Sequence, residues 1–142
     1  MTTQLTATVS LQEKVHFTGQ AHTDHRVSID YPAPLGDDDG FMPLELLLLS
    51  VAACSGQTVS RILDRMKQPM TAMKVQAIGR QRDEHPMLFT EIQLEFVVQG
   101  THIEPSAIDR AIKLSEEQYC PVWAMLNGGT RLMSSYRIIT GE

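Results

Sequence analysis

The sequence predicts an α+β fold in a single domain over residues 1–142. Three observations carry this. Short segments that alternate apolar and polar residues fill the first 31 positions. A long helical run from Pro43 is apolar on nearly every face through its first half. Two further alternating segments, a second amphipathic helix and a last strand come after it, with no internal repeat and no linker.

In chain order, "QLTATVS", "KVHFTG" and "HRVSIDY" read as a three-stranded meander separated by polar turns such as "QAHTDH". Pro32, Pro34, Gly36, the three aspartates Asp37, Asp38 and Asp39, and Gly40 then form a loop. Proline fixes φ, glycine frees it and adjacent carboxylates repel, so the loop reads as a solvated connection in preference to an acidic binding site.

Pro43 suits the first helical position, and Glu45 meets the positive end of the helix dipole. The helix is expected to run to about Lys67, ahead of Pro69. Leu44, Leu46, Leu47, Leu48, Leu49 and Val51 mark a first half surrounded by protein, whereas Gln57, Arg61, Asp64 and Arg65 turn the second half polar. A helix of roughly 24 residues is about 36 Å long, more than so small a domain can cover, so a homodimer is expected.

"MKVQAIGRQR" and "TEIQLEFVV" form a hairpin around "DEHPM". A second helix opens near Pro105 and runs to Cys120, where Pro121 breaks it. "WAMLNGG" is a short helical turn and "TRLMSSYRIIT" a closing strand.

Composition narrows the function. At 42% hydrophobic residues the chain can fill a core, and its formal charge of −5 comes with no basic cluster, which argues against nucleic acid or an anionic membrane as partner. "MTTQLTATVS" has neither a basic leader nor an apolar core, and the Leu-rich run is about half of a membrane span, so a cytoplasmic location is expected. Two cysteines are too few for a disulfide scaffold or a thiolate zinc site, and cytosolic disulfides are mostly chemical in purpose. His22 and His25 lack further ligands at suitable spacing, and no phosphate-binding glycine motif occurs, so neither metal nor cofactor is expected.

Cys54 lies too deep in its helix to feel the N-terminal dipole, so a reactive Cys54 needs a cationic neighbour. Arg61 shares its face, and Arg26, Lys14 and His16 are tertiary candidates. The alternative is a buried, inert cysteine. Cys120 ends a helix just after Glu116 and Glu117, and both features oppose a negative sulfur. If the two act together, Cys54 attacks and Cys120 resolves the oxidised product.

"PLELLLLSVAACSG" and "SEEQYCPV", in this order, resemble the OsmC/Ohr family of osmotically inducible proteins and organic hydroperoxide reductases, over nearly the whole chain. The resemblance implies an OsmC-like fold in an intertwined homodimer, with sites at the subunit interface. It implies a peroxidatic Cys54, a resolving Cys120, a small organic hydroperoxide as substrate, and a dihydrolipoyl protein or other dithiol as reductant. Leu47, Val51 and Trp123 would favour an apolar peroxide. The family places a glutamate ten residues before the first cysteine, paired with an arginine. Here that position is Leu44, with Glu45 beside it, and Arg26 is the only arginine before the helix. Glu45, Arg26 and Arg61 are therefore the candidate charged partners, in a divergent branch. Competing functions are a dimeric module binding a small apolar ligand, and a redox sensor.

Overall fold

A computed structural model of the chain describes residues 3–141. Its backbone forms two compact units, one ending at Leu47 and the other beginning at Leu48.

In the first unit, β1 (Thr8–Glu13), β2 (His16–Gln20) and β3 (Arg26–Ile29) form the antiparallel meander in the order β1-β2-β3. Its strands bury little: Val9 and Leu11 of β1 stand open, and Asp30, 1% exposed, is the buried centre of the unit. The loop after β3 closes on this carboxylate. Backbone N–H groups of Tyr31, Asp37 and Asp39 all donate to it, at 2.8, 3.1 and 3.1 Å. Gly36 is buried against the same group, and a Cβ there would overlap both Asp30 Oδ1 and the Tyr31 carbonyl oxygen. The proline- and aspartate-rich loop is thus a folded strap around a buried anion. The side chains of Asp37, Asp38 and Asp39 do face solvent, as the sequence indicates, but the backbone carries the structure.

The long helix α1 (Pro43–Arg65) ends two residues earlier than expected. Val51, Ala52, Ser55, Gly56, Val59 and Leu63 make its buried face. Within this chain its first half is covered only in part: Leu44, Leu46, Leu47 and Leu48 are half-buried, and Leu49 is 50% exposed. By length and composition α1 could cross a membrane, a test that core helices of globular proteins also pass. Its buried face belongs to the core of the second unit.

In that unit β4 (Met70–Gln81) pairs antiparallel with β5 (Phe89–Gly100). β6 (Arg131–Ile139) adds to the other side of β5 in parallel. A parallel neighbour requires a crossover, and the segment between β5 and β6 supplies it. It contains α2 (Pro105–Leu114), a π-helical turn (Ser115–Tyr119) and α3 (Pro121–Leu126). Ile92, Leu94, Phe96 and Val98 of β5, with Ile108, Ala111 and Ile112 of α2, fill the core. The alternation in "TEIQLEFVV" and the helical spacing after Pro105 are both visible in those buried sets.

Candidate active site

Two elements of the second unit deliver the sulfurs. Cys54 is carried in the middle of α1, one residue before buried Ser55. Cys120 is expected at the end of a continuous helix, and here the structure differs. The helix widens to π geometry over "SEEQY", with the Cys120 N–H bonded to the Ser115 carbonyl five residues back at 2.9 Å. Cys120 then turns to an extended conformation and caps α3, its Sγ accepting from Trp123 N–H at 3.4 Å. Pro121 fits the first position of α3, where no N–H is needed. One extra residue in the turn rotates the chain beyond it, and such π turns are frequent at functional sites. Glu116, in the π turn before Cys120, accepts from the Ser134 hydroxyl.

The sulfurs of Cys54 and Cys120 lie 2.9 Å apart, and both cysteines are unbridged. Ser55 Oγ also donates to Cys120 Sγ at 3.4 Å. Cys120 is 2% exposed, whereas Cys54 is half-buried and reachable from outside. Val51 and Trp123, both buried, provide apolar surroundings.

Burial pushes the Cys54 thiol above its ordinary value, and the adjoining Cys120 sulfur adds to the rise. The Val122 N–H works against both. No cationic side chain of the same unit, Arg61 included, is among these influences, so a backbone N–H occupies the place where the sequence leads one to expect a cation. Alkylation of Cys54 by iodoacetamide should therefore show a midpoint above the free-thiol value of about 8.5. In Cys120→Ser the midpoint should fall, because one of the raising influences is gone. Equal midpoints in the two proteins would mean that the sulfurs do not interact.

Of the other candidates, Glu45, Arg26 and Lys14 belong to the first unit and Arg61 to the second. Glu45 Oε1 accepts from the Met42 N–H at 2.8 Å, closing the first turn of its own helix in the manner of a capping box. Arg26 is exposed at the start of β3 and forms no ion pair among the described residues. Lys14 pairs with Asp37 at 2.7 Å, and its hydrogen bond to that carboxylate raises its pKa. Arg61 lies beyond Cys54 on the same face of α1, lining a cleft with Thr58, Ile62, Arg65 and Tyr119.

Among the described residues one group could in principle hold a metal: His16, Asp30 and Asp39 bring ligand atoms within 4.8 Å of one another. Its donors are already engaged, Asp30 by three N–H groups and His16 by the Ser28 hydroxyl at 2.7 Å. The fit to a metal is therefore poor, and the group serves to hold the loop. His22 and His25 are exposed turn residues, with His25 Nδ1 bonded to the Thr23 hydroxyl.

The model of the family described as "OsmC-like protein" matches residues 36–134. Protein YhfA of Escherichia coli K12 is 32% identical over 133 residues, covering 94% of this chain and 97% of its own length. A hypothetical protein from Aquifex aeolicus has a solved structure that matches with a TM-score of 0.88 at 30% identity, covering 99% of this chain and all of that one. The organic hydroperoxide resistance protein OhrB of Bacillus subtilis shares the fold more distantly, with a TM-score of 0.67 at 14% identity over 95% of this chain and 98% of its own.

Proposed function

Since the chain belongs to the OsmC/Ohr family, we propose that it is a thiol-dependent peroxidase for organic hydroperoxides, with Cys54 as nucleophile and Cys120 as resolving thiol. The observation that carries this reading is the contact of an accessible and a buried sulfur at 2.9 Å. Cys54 is the sulfur that a substrate can reach. Its thiolate attacks the distal peroxide oxygen, the O–O bond breaks, and the alkoxide takes a proton and leaves as the alcohol. Cys54 is then a sulfenic acid. The Cys120 sulfur attacks Cys54, the S–O bond breaks, and hydroxide departs with the Cys120 proton as water. Closing the bond to about 2.05 Å requires an approach of about 0.9 Å. A dihydrolipoyl protein or another dithiol returns the pair to its reduced form by disulfide exchange.

The raised Cys54 pKa sets a limit on this chemistry in the isolated chain. Burial and the adjoining sulfur favour the protonated thiol at neutral pH. Turnover is consequently expected to rise with pH across the neutral range. Whether a cation from Arg26 or Arg61, oriented by Glu45, relieves that limit is tested by the alkylation midpoints of Arg26→Met, Arg61→Met and Glu45→Gln. A rise in midpoint assigns the cation, and curves that all coincide with wild type remove all three residues from the chemistry.

Counting thiols after mixing the reduced protein with cumene hydroperoxide separates an enzyme from a binding module. Loss of two per chain supports the peroxidase, and loss of none supports a protein that keeps the fold to hold an apolar ligand.

The peroxidase reading includes a homodimer. Exposed Leu49 borders an apolar groove of about 420 Å³ with Ala52, Ala53, Gly56, Met73 and Val75, and Val9 and Leu11 are open on β1. Covering that apolar surface favours association. Sedimentation at micromolar concentration should give twice 15.9 kDa, and a monomer that binds no hydrophobic dye would rule the assembly out.

A further inference from the structure

On the buried face of α1, Ser55 is the polar residue, and it is 2% exposed. A serine or threonine inside a helix can turn its hydroxyl back to the carbonyl one turn earlier, as Thr58 does to the Cys54 carbonyl at 2.9 Å. Ser55 instead donates away from its helix, to Cys120 Sγ at 3.4 Å. The Trp123 N–H reaches the same sulfur, also at 3.4 Å. The backbone donor that faces Cys54 is the neighbouring N–H, that of Val122. Each sulfur thus has one backbone N–H, and the Ser55 hydroxyl breaks the balance in favour of Cys120. On a sulfur 2% exposed, where water cannot reach developing charge, such fixed donors are what stabilises it.

We propose that Ser55, together with the Trp123 N–H, makes Cys120 the leaving sulfur when the Cys54–Cys120 disulfide is reduced, and so sets the direction and the rate of the reductive half of the cycle. The inference rests on the disulfide of the peroxidase reading above. Of the two sulfurs, a dithiol can reach the half-buried Cys54. Its thiolate attacks Cys54 Sγ, a bond forms between those two sulfurs, the bond between Cys54 and Cys120 breaks, and the electron pair leaves on Cys120 Sγ. The Ser55 O–H and the Trp123 N–H meet that charge as it develops, and the sulfur then takes up the proton that the dithiol gave up. The second thiol of the reductant displaces Cys54, which regains a proton in the same way, and the reductant departs as a disulfide. Without the hydroxyl, the departing charge on the buried sulfur has one donor fewer and the bond breaks more slowly.

For the test the disulfide is made with diamide, so no hydroperoxide enters it. Reduction by dithiothreitol should be about tenfold slower in Ser55→Ala than in the wild type, the loss of one hydrogen bond to a developing charge. Alanine favours a helix more than serine does and brings no polar group into the core, so the variant should fold. At equilibrium with dithiothreitol it should retain more disulfide than the wild type, because its thiol form has lost a bond. For the same reason its melting temperature should fall more in the reduced protein than in the oxidised one. A hydroxyl that served structure alone would lower both melting temperatures alike and leave the equilibrium where it was. The mixed disulfide trapped with glutathione should lie on Cys54. A reduction rate in Ser55→Ala within about twofold of wild type, or a mixed disulfide on Cys120, would overturn the proposal. Thiols that diamide leaves unjoined would overturn both it and the peroxidase reading. Slowed reduction in a protein that consumes no hydroperoxide would keep the role of Ser55 and overturn the peroxidase reading instead.

Discussion

Replacing Cys54 by serine is expected to abolish hydroperoxide consumption, lowering the rate by a factor on the order of 10³ or more. A serine hydroxyl in the same place is neither ionised nor nucleophilic at neutral pH, and no base lies beside it in the set of contacts around this sulfur. Cys120→Ser should behave differently. The first chemical step needs only the accessible sulfur, so this variant should release one alcohol per chain and then stop with Cys54 as a sulfenic acid. Dimedone should label Cys54 in that protein. Labelling of Cys120 in the Cys54→Ser protein, with none of Cys54 in the converse variant, would reverse the assigned roles.

The second large effect lies far from the sulfurs in sequence and concerns the loop around Asp30. Gly36→Ala should destabilise the protein by about 3 kcal/mol, since the added methyl meets a carboxylate oxygen and a backbone carbonyl that cannot both move aside. The backbone N–H bonds of Asp37 and Asp39 to Asp30 would be lost with it. Faster amide exchange at these two residues, with a lowered melting temperature, is the expected result, and unchanged exchange would show that the loop does not depend on the carboxylate. Asp30 also has a pH signature. Burial opposes its charge, but the N–H groups of Asp39, Tyr31 and Asp37, helped by His16, outweigh burial and hold its pKa below the usual carboxylate range. The folded state therefore binds this proton less readily than the unfolded chain. The stabilisation is present above the unfolded value of about 3.9 and is lost as pH falls through the lower folded value. In Asp30→Asn that portion of the acid transition should disappear.

Most of the element order is legible because each element writes its own period: alternation for β5, helical spacing for α1 and α2, and prolines at their starts. The two cysteines are legible as a pair through their scarcity. Four things are hidden, each for a physical reason. The π turn before Cys120 has no compositional signal, because it is a register change within an ordinary helical pattern, and it changes the expected setting of that sulfur from a helix end to a helix cap. Asp30 is indistinguishable from a solvated aspartate until the chain folds its own N–H groups around it; the close glycines Gly36 and Gly40 are the available signal. The Leu44–Leu49 run is correctly read as too apolar for water, but periodicity cannot say whether its cover comes from the same chain, and in this chain it stays half-open. The charged residues near the sulfurs are hidden for the same reason. Spacing alone puts Arg61 on the face of Cys54, but the cleft it forms with Arg65 and Tyr119 requires the second helix segment to be in position.

The most direct test of the peroxidase account is a single-turnover balance on the reduced wild-type protein with one equivalent of cumene hydroperoxide. The account predicts one cumyl alcohol and one intramolecular Cys54–Cys120 disulfide per chain, identified by peptide mass, with no free sulfenic acid at the end. Unreacted peroxide with both thiols intact, or alcohol formed without that disulfide, would contradict it.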